Sequence, residues 1–250
     1  MKIISHLLLP VLLMTAFAGC SDDDDSAPNG NASGMISGKI QLTDEFGNDV
    51  VDYSGMKVIT QTGAFGFSDA SGEFTIMNLK SGTYTLNYEK SGYGTYRRFN
   101  IVVAGTSSVT TLNGTDVLAQ KSSTLITNLT ASWEPIDQTF TFGCDINPVP
   151  DPVNARNFRL FFNKTADVGY DNYLFTPNNS WTATTGTGII TGFSPQTLLS
   201  NGFLPGDSVY VVALGESAFS NSYTNPVTGK KLYPNLNTAG PSNVAGFKIP

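Results

Sequence analysis

The chain is predicted to be all-β, with two antiparallel β-sandwiches in series, on three observations. Apolar and polar residues alternate along short runs, which Gly, Asn, Asp or Pro interrupt roughly every eight to twelve residues. No stretch of length carries the i, i+3, i+4 apolar spacing of an amphipathic helix. Glycine and proline number 25 and 13 in 250 residues, while charged residues reach only 14% against a globular norm of about 25%. These numbers describe a folded, turn-rich chain with a sparsely charged surface.

In the first half, Ile36, Gly38, Ile40 and Leu42 alternate with Ser37, Lys39 and Gln41. Phe74 and Ile76 follow the turn Asp69-Ala70-Ser71-Gly72, Tyr84, Leu86 and Tyr88 alternate with Thr85 and Asn87, and Phe99, Ile101 and Val103 complete the set. Each run is expected to turn one face inward and leave the other wet. Lys121-Ser122-Ser123-Thr124 is the expected junction, which gives one sandwich at residues 35–121 and a second at 122–250. The second opens with Leu125, Leu129, Ala131 and Trp133. Phe140, Phe142 and Cys144 then alternate with Thr139, Thr141 and Gly143, and Phe158, Leu160 and Phe162 with Asn157, Arg159 and Asn163. Ser208 to Leu214 reads as a continuous apolar strand, and Val244 to Ile249 returns after a long connection. One helical turn is expected, with Ser194 as N-cap, Pro195 at the first helical position and Gly202 as the stop. Cys144 is expected to be a buried small hydrophobe, since no cation or base lies near it in sequence to activate a thiol.

Gly38, then Ser68-Asp69-x-x-Gly72-x-Phe74-x-Ile76-x-x-Leu79-x-x-Gly82-x-Tyr84-x-Leu86, then Gly92-Tyr93 resembles the carboxypeptidase regulatory-like domain over residues 35–118. Ser68 departs from that pattern, which usually has Thr there. The resemblance implies a seven-stranded prealbumin-type (transthyretin-like) sandwich acting as a non-catalytic accessory module. Asp69 reads as a turn former rather than a calcium ligand, since calcium takes about six to eight oxygens. Pro205-Gly206-Asp207 before one strand and Pro241-Ser242-Asn243 before the last make the second half resemble a fibronectin type III or immunoglobulin-like module.

The N-terminal segment reads as an address. Lys2 precedes about a dozen mostly apolar residues, too few for the ~20 of a spanning helix. Phe17-Ala18-Gly19-Cys20 resembles a bacterial lipobox, although Phe17 stands where Leu, Val or Ile is usual, which keeps an ordinary signal peptide as the alternative. The resemblance implies a lipoprotein signal peptide at 1–19 and a diacylated Cys20. Ser21, Asp22, Asp23, Asp24 and Asp25 resemble the acidic signal that sends lipoproteins of the Bacteroidota to the outer face of the outer membrane; the alternative is a solvated charge run. Asp25-Ser26-Ala27 matches the periplasmic glycosylation pattern of that group at Ser26, a three-residue match that chance also produces. Residues 20–34 lack large apolar side chains and read as a flexible acidic tether.

Composition and charge narrow the function. Fourteen Lys and Arg against 20 Asp and Glu give a net charge of -6, and the bases are scattered, so no stripe exists for phosphate and nucleic acid is not an expected partner. The single histidine, His6, falls within the signal segment, which leaves the mature chain without His-based nucleophile pairs or His-ligated zinc. Asp167 with Asp171 and Asp145 with Asp151 do not announce an acid/base dyad. An enzyme, a cofactor and a metal are therefore not expected. The loop from Ser217 to Gly240, with Tyr223 and Tyr233, exceeds the usual ~12–15 residues of an unstructured connection, which points to function or to an extra hairpin around Val227-Thr228-Gly229-Lys230. Tyr170, Asp171, Asn172, Tyr173 and Trp181 interleave rings with short polar side chains. That combination suits stacking on the C–H face of a sugar and bonding its hydroxyls, and equally suits a sandwich core. Because turns and core account for the first half's motifs, any ligand is expected in the second half. The reading is a surface-exposed outer-membrane lipoprotein, non-enzymatic, binding an extracellular glycan or protein and meeting other outer-membrane proteins. The alternative is an assembly subunit of an uptake complex or a fimbrial structure.

Overall fold

Period-two alternation produces strands throughout the computed structural model, which describes residues 33–105, 107–151 and 153–250. Cys20, Ser21 to Asp25 and Ser26, the expected lipidation, export and glycosylation residues, lie outside the described residues. Residues 32–250 form one compact unit.

Seven strands build the first half: β1 (Gly34–Thr43), β2 (Lys57–Thr60), β3 (Phe65–Phe67), β4 (Glu73–Leu79), β5 (Gly82–Glu89), β6 (Tyr96–Val103) and β7 (Val109–Ala119). They form two sheets in the orders β4-β1-β7 and β3-β2-β5-β6, with β1 and β7 parallel and the other pairs antiparallel. Phe74, Ile76, Tyr84, Leu86 and Tyr88 all enter the core between them, where Phe74 meets Tyr88 edge to face at 6.0 Å. The turn that delivers Phe74 is held by Asp69, whose carboxylate accepts from the backbone N–H groups of Ser71 and Glu73 and from the Ser71 hydroxyl. Those bonds hold its carboxyl below the usual range. Gly72 sits at φ +84°, and a Cβ there would lie 2.0 Å from the Ile40 carbonyl oxygen, so glycine is the residue that closes this turn. Ser68 is buried, its hydroxyl accepting from Met56 N–H and donating to the Tyr53 carbonyl.

The second half contains β8 (Leu125–Glu134), β9 (Thr139–Asn147), β10 (Arg156–Asn163), β11 (Trp181–Ala183), β12 (Thr187–Phe193), α1 (Pro195–Leu199), β13 (Ser208–Glu216), β14 (Tyr223–Thr224), β15 (Lys231–Leu232) and β16 (Ala245–Lys248). One sheet runs β12-β9-β8 and the other β11-β10-β13-β16, with an aromatic core between them. Phe142 meets Phe162, Phe193 and Phe247 at 5.3–5.7 Å. Ser194 caps α1 by accepting from Gln196 N–H at 3.2 Å, and Gly202 follows at φ +92°. Cys144 is buried, and desolvation pushes its thiol up to about 11.

Three expectations are corrected. Phe99 does not join the core: Asn100 at φ +60° inserts a bulge between the pairs Tyr84–Ile101 and Leu86–Arg98, and Phe99 packs half-buried against Tyr223 outside the core. Leu125 is exposed while Ile126 and Leu129 are buried, because Asn128 at φ +53° shifts the register in the same way. The outer face of β10, where Arg159 alternates with core residues, is not wet, while β13 is covered on both faces as its continuous apolar run implies. The loops around Val168, Tyr173, Tyr233 and Leu236 cover the outer face as a third apolar cluster with Phe161, Val212 and Leu214, so Phe158 to Phe162 are all buried.

The bulges follow a pattern. Apart from the nearly extended Gly82, the strand residues with positive φ are Asn78, Asn100, Gly114, Asn128 and Gly192, on β4, β6, β7, β8 and β12, each a sheet edge. The other edges of the two sandwiches, β3, β11 and β16, are three, three and four residues long. Two asparagine side chains also occupy edge backbone groups. Asn221 accepts from Ala119 N–H and donates to the Val117 carbonyl on β7, and Asn243 does the same with both backbone groups of Leu129 on β8. Short, bulged or capped edges resist pairing with another chain.

Candidate functional site

The segment after β13 fastens the two sandwiches together. Ala218 N–H donates to the Glu45 carbonyl, the Ser217 hydroxyl to the Gln120 carbonyl, and Ser122 N–H to the Asn235 carbonyl. The Glu45 carboxylate accepts from the backbone and hydroxyl of Ser123, each at 2.7 Å, and from Arg156 at 3.1 Å. Asn221, at φ +45°, is itself held by Asn235.

A groove lies along this fastening. It holds about 460 Å³ and is lined by Tyr96, Thr115, Asp116 and Val117 from the first sandwich and by Phe219, Ser220, Asn221 and Ser222 from the connecting segment. Ser220 also borders a smaller polar recess of about 210 Å³ formed with Asn178, Asn179, Ser180 and Arg159. The Phe219 ring is 44% exposed and is the apolar surface the groove offers to a ligand. Asp116 accepts from the Tyr88 hydroxyl at 2.7 Å and from Arg98 at 3.1 Å, which fixes a carboxylate at the groove wall. Beside the recess, Arg159 and Glu216 form an ion pair at 2.9 Å with side chains 2% and 0% exposed. Arg159 also donates to the Pro177 carbonyl and lies over the Tyr233 ring at 4.1 Å. Glu216 Oε1 has no hydrogen-bond partner among the described residues. Burial holds the Glu216 carboxyl above its usual range, against the pull of Arg159 and Ser180. The groove therefore presents hydroxyls and carboxamides in number, one exposed ring, and charges already neutralised by their neighbours.

The five aromatic candidates do not converge. Tyr233 is buried, and Tyr173 is half-buried; both pack on Phe161, at 5.8 and 5.1 Å. The Tyr173 hydroxyl donates to the Lys231 carbonyl, the Lys230 ammonium lies over its ring at 4.5 Å, and burial pushes it up to about 12. Neither ring has a free face broad enough for a sugar. Tyr223 is half-buried at the junction against Tyr96 and Phe99, at 6.2 and 5.9 Å. Trp181 stacks on Phe158 at 6.3 Å and borders a concavity of about 290 Å³ at the sheet edge with Thr182, Thr185 and Thr187. Tyr170 stands in solvent, 40% exposed. The loop from Ser217 to Gly240 contains the extra hairpin, β14 with β15, around Val227 to Lys230, and its first residues form the groove wall.

Residues outside that set were missed. Phe219 belongs to the long loop from Ser217 to Gly240, which the sequence marks by its length alone. The first sandwich does carry a surplus aromatic pair, contrary to expectation: Phe65 and Phe67 are 51% and 57% exposed and meet edge to face at 5.6 Å. A Cβ on Gly66 would lie 2.2 Å from the Thr75 carbonyl oxygen, so the glycine faces inward and both rings face out. The signal is in the sequence, since two aromatics flanking a glycine at period two share the face opposite it.

No protein-family model matches the chain, and no curated protein matches it. Among solved structures, the chain is similar to a candidate carbohydrate-binding protein from Bacteroides uniformis ATCC 8492, at 14% identity, covering 86% of this chain and 99% of that one with a TM-score of 0.31. It is also similar to a DUF3823 family protein from Parabacteroides merdae ATCC 43184, at 13% identity, 86% and 98% coverage and a TM-score of 0.31. A cohesin–X-dockerin complex from Acetivibrio cellulolyticus is similar over 35% of this chain and 58% of that one, at 21% identity and a TM-score of 0.28. At such TM-scores none of these likenesses bears on fold or function.

Proposed function

We propose that the protein is a non-enzymatic, surface-exposed outer-membrane lipoprotein that binds an extracellular glycan in the groove between its two sandwiches. In this reading Cys20 supplies the anchor and Ser21 to Asp25 the outward address, within a tether that begins at Cys20 and reaches β1, which starts at Gly34. The seven strands of the first half support a carboxypeptidase regulatory-like module, and the three-plus-four sandwich of the second supports a fibronectin-like one. Separate cores on either side support a division at residues 121 and 122.

The observation that carries the proposal is the groove itself. Hydroxyls of Thr115, Ser220 and Ser222 line it beside an exposed phenyl ring, and the recess that shares Ser220 adds the Ser180 hydroxyl and the Asn178 and Asn179 carboxamides. Such a wall exchanges hydrogen bonds with a polyhydroxylated ligand while the ring covers its C–H surface. Assembly by strand addition has less support, because the edges that would accept a strand are short, bulged or capped by Asn221 and Asn243.

A glycan array probed with the chain from residue 26, which contains the whole compact unit, tests the reading. Binding is expected, and Phe219→Ala and Asn179→Ala are each expected to weaken it about fivefold or more, roughly the loss of 1 kcal/mol, with unchanged melting temperature. Parent-like binding by both variants would place the ligand elsewhere.

A further inference from the structure

The geometry points to a second, separate sugar-stacking site at the far end of the second sandwich, built around Trp133 and shaped for a neutral oligosaccharide. β8 leaves the junction at Leu125 and carries Trp133 away from it over eight residues, roughly 25 Å at the rise of a strand. Trp133 opens the second half as a strand residue, yet it is only half-buried. One side rests on Phe140, at a centroid distance of 5.0 Å and an interplanar angle of 58°, which fixes the indole. The indole also lines an open concavity of about 410 Å³, within the ~300–1,000 Å³ range of ligand sites.

The polar groups around the ring have the right kind and the right exposure. Gln138 enters from the turn between β8 and β9, and Gln196 and Ser194 from the start of α1; all three are exposed. Leu199 and Ile249 add apolar lining. A carboxamide offers a donor and an acceptor side by side, which matches two adjacent sugar hydroxyls, and an indole is the largest flat apolar surface a protein has for the C–H face of a pyranose. Among the described residues no Asp, Glu, Lys or Arg side chain lines the concavity, so nothing there pairs with the carboxylate of an acidic sugar. With Pro195 and Pro250 completing the lining, this surface suits a neutral hexose or pentose oligomer. This site does not depend on the groove at the junction, with which it shares no lining residue.

The chain has two tryptophans, so Trp181→Phe leaves Trp133 as the only indole and makes its fluorescence a direct reporter. The probes are cellohexaose, xylohexaose, maltohexaose and mannohexaose, titrated into the Trp181→Phe protein. At least one is expected to shift the Trp133 emission saturably. In the parent chain, Trp133→Ala is expected to lower affinity for that sugar about tenfold or more, and Gln138→Ala about threefold. Gln138 is exposed, so its variant keeps the parent melting temperature and remains decisive even if Trp133→Ala unfolds. Phe219→Ala, added to the Trp181→Phe protein, is expected to leave the Trp133 response unchanged. The proposal fails if none of the four sugars perturbs Trp133, if Gln138→Ala binds as the parent does, or if Phe219→Ala abolishes the response and so merges the two sites.

Discussion

Replacing Glu216 by alanine is expected to destabilise the protein by about 3–5 kcal/mol, a large part of the ~5–15 kcal/mol that holds a domain together. The cost comes from what is left behind. Arg159 is 2% exposed, and without Glu216 its guanidinium keeps only the carbonyls of Pro177 and Asn178 and the face of Tyr233. An unneutralised charge in that surrounding is far more expensive than a lost surface pair. Urea unfolding of the parent, Glu216→Ala and the double replacement Arg159→Met with Glu216→Leu reads the effect. The double variant is expected to recover much of the loss, because it removes both charges while keeping side-chain volume. A single-variant loss below about 1 kcal/mol would mean that the Arg159 guanidinium reaches water or another partner once Glu216 is gone.

The same carboxyl sets a pH dependence. Burial raises the Glu216 value in the folded protein above the 4.5 of a free glutamate, so the folded state keeps the proton to higher pH than the unfolded chain does. Its contribution to stability is therefore full below pH 4.5 and is lost as pH rises through the raised value. Asp52, Asp69, Asp151 and Asp207 work in the opposite sense, being held low by hydrogen bonds from neighbouring backbone and side-chain groups. The difference between the parent and Glu216→Gln isolates the one group, and the parent's advantage is expected to shrink between acid and neutral pH.

Phe142→Ala is expected to cost about 3–5 kcal/mol as well, by a different route. Phe142 is 1% exposed, and its ring meets those of Phe162, Phe193 and Phe247 within 5.7 Å, so truncation opens a cavity among rigid rings that cannot close around it. The half-buried Phe99, truncated in the same way, removes a contact with Tyr223 and leaves the core intact, so it serves as the control. Thermal unfolding that shows equal losses for the two would contradict the placement of the core.

The contrast between Phe142 and Phe99 shows where sequence reading succeeds. Alternation alone placed Phe74, Tyr84, Phe142 and Phe162 correctly, because no left-handed residue interrupts the run on which each lies before it reaches the core. It misplaced Phe99 and Leu125 because Asn100 and Asn128 take left-handed conformations and flip the parity of what surrounds them, and a side-chain pattern does not display a backbone angle. The motif from Ser68 to Leu86 was legible since its turn is local: Asp69 and Gly72 act on residues within a few positions. The aromatic candidates were less so. Tyr173 and Tyr233 lie sixty positions apart and meet only because two loops cover the outer face of β10 and β13, which composition cannot foretell. Phe219 reached the groove for the same reason, through a long connection whose end point is set by Asn221 and Asn235.

Hydrogen exchange on the parent chain, with and without a sugar that binds it, tests the central claim most directly. The groove account predicts slowed exchange at two separated stretches, the amides of residues 115–117 on β7 and of 218–222 in the connecting segment, since a ligand lying in the groove touches both sandwiches at once. Protection confined to one sandwich, or none in either stretch at saturating sugar, would contradict it.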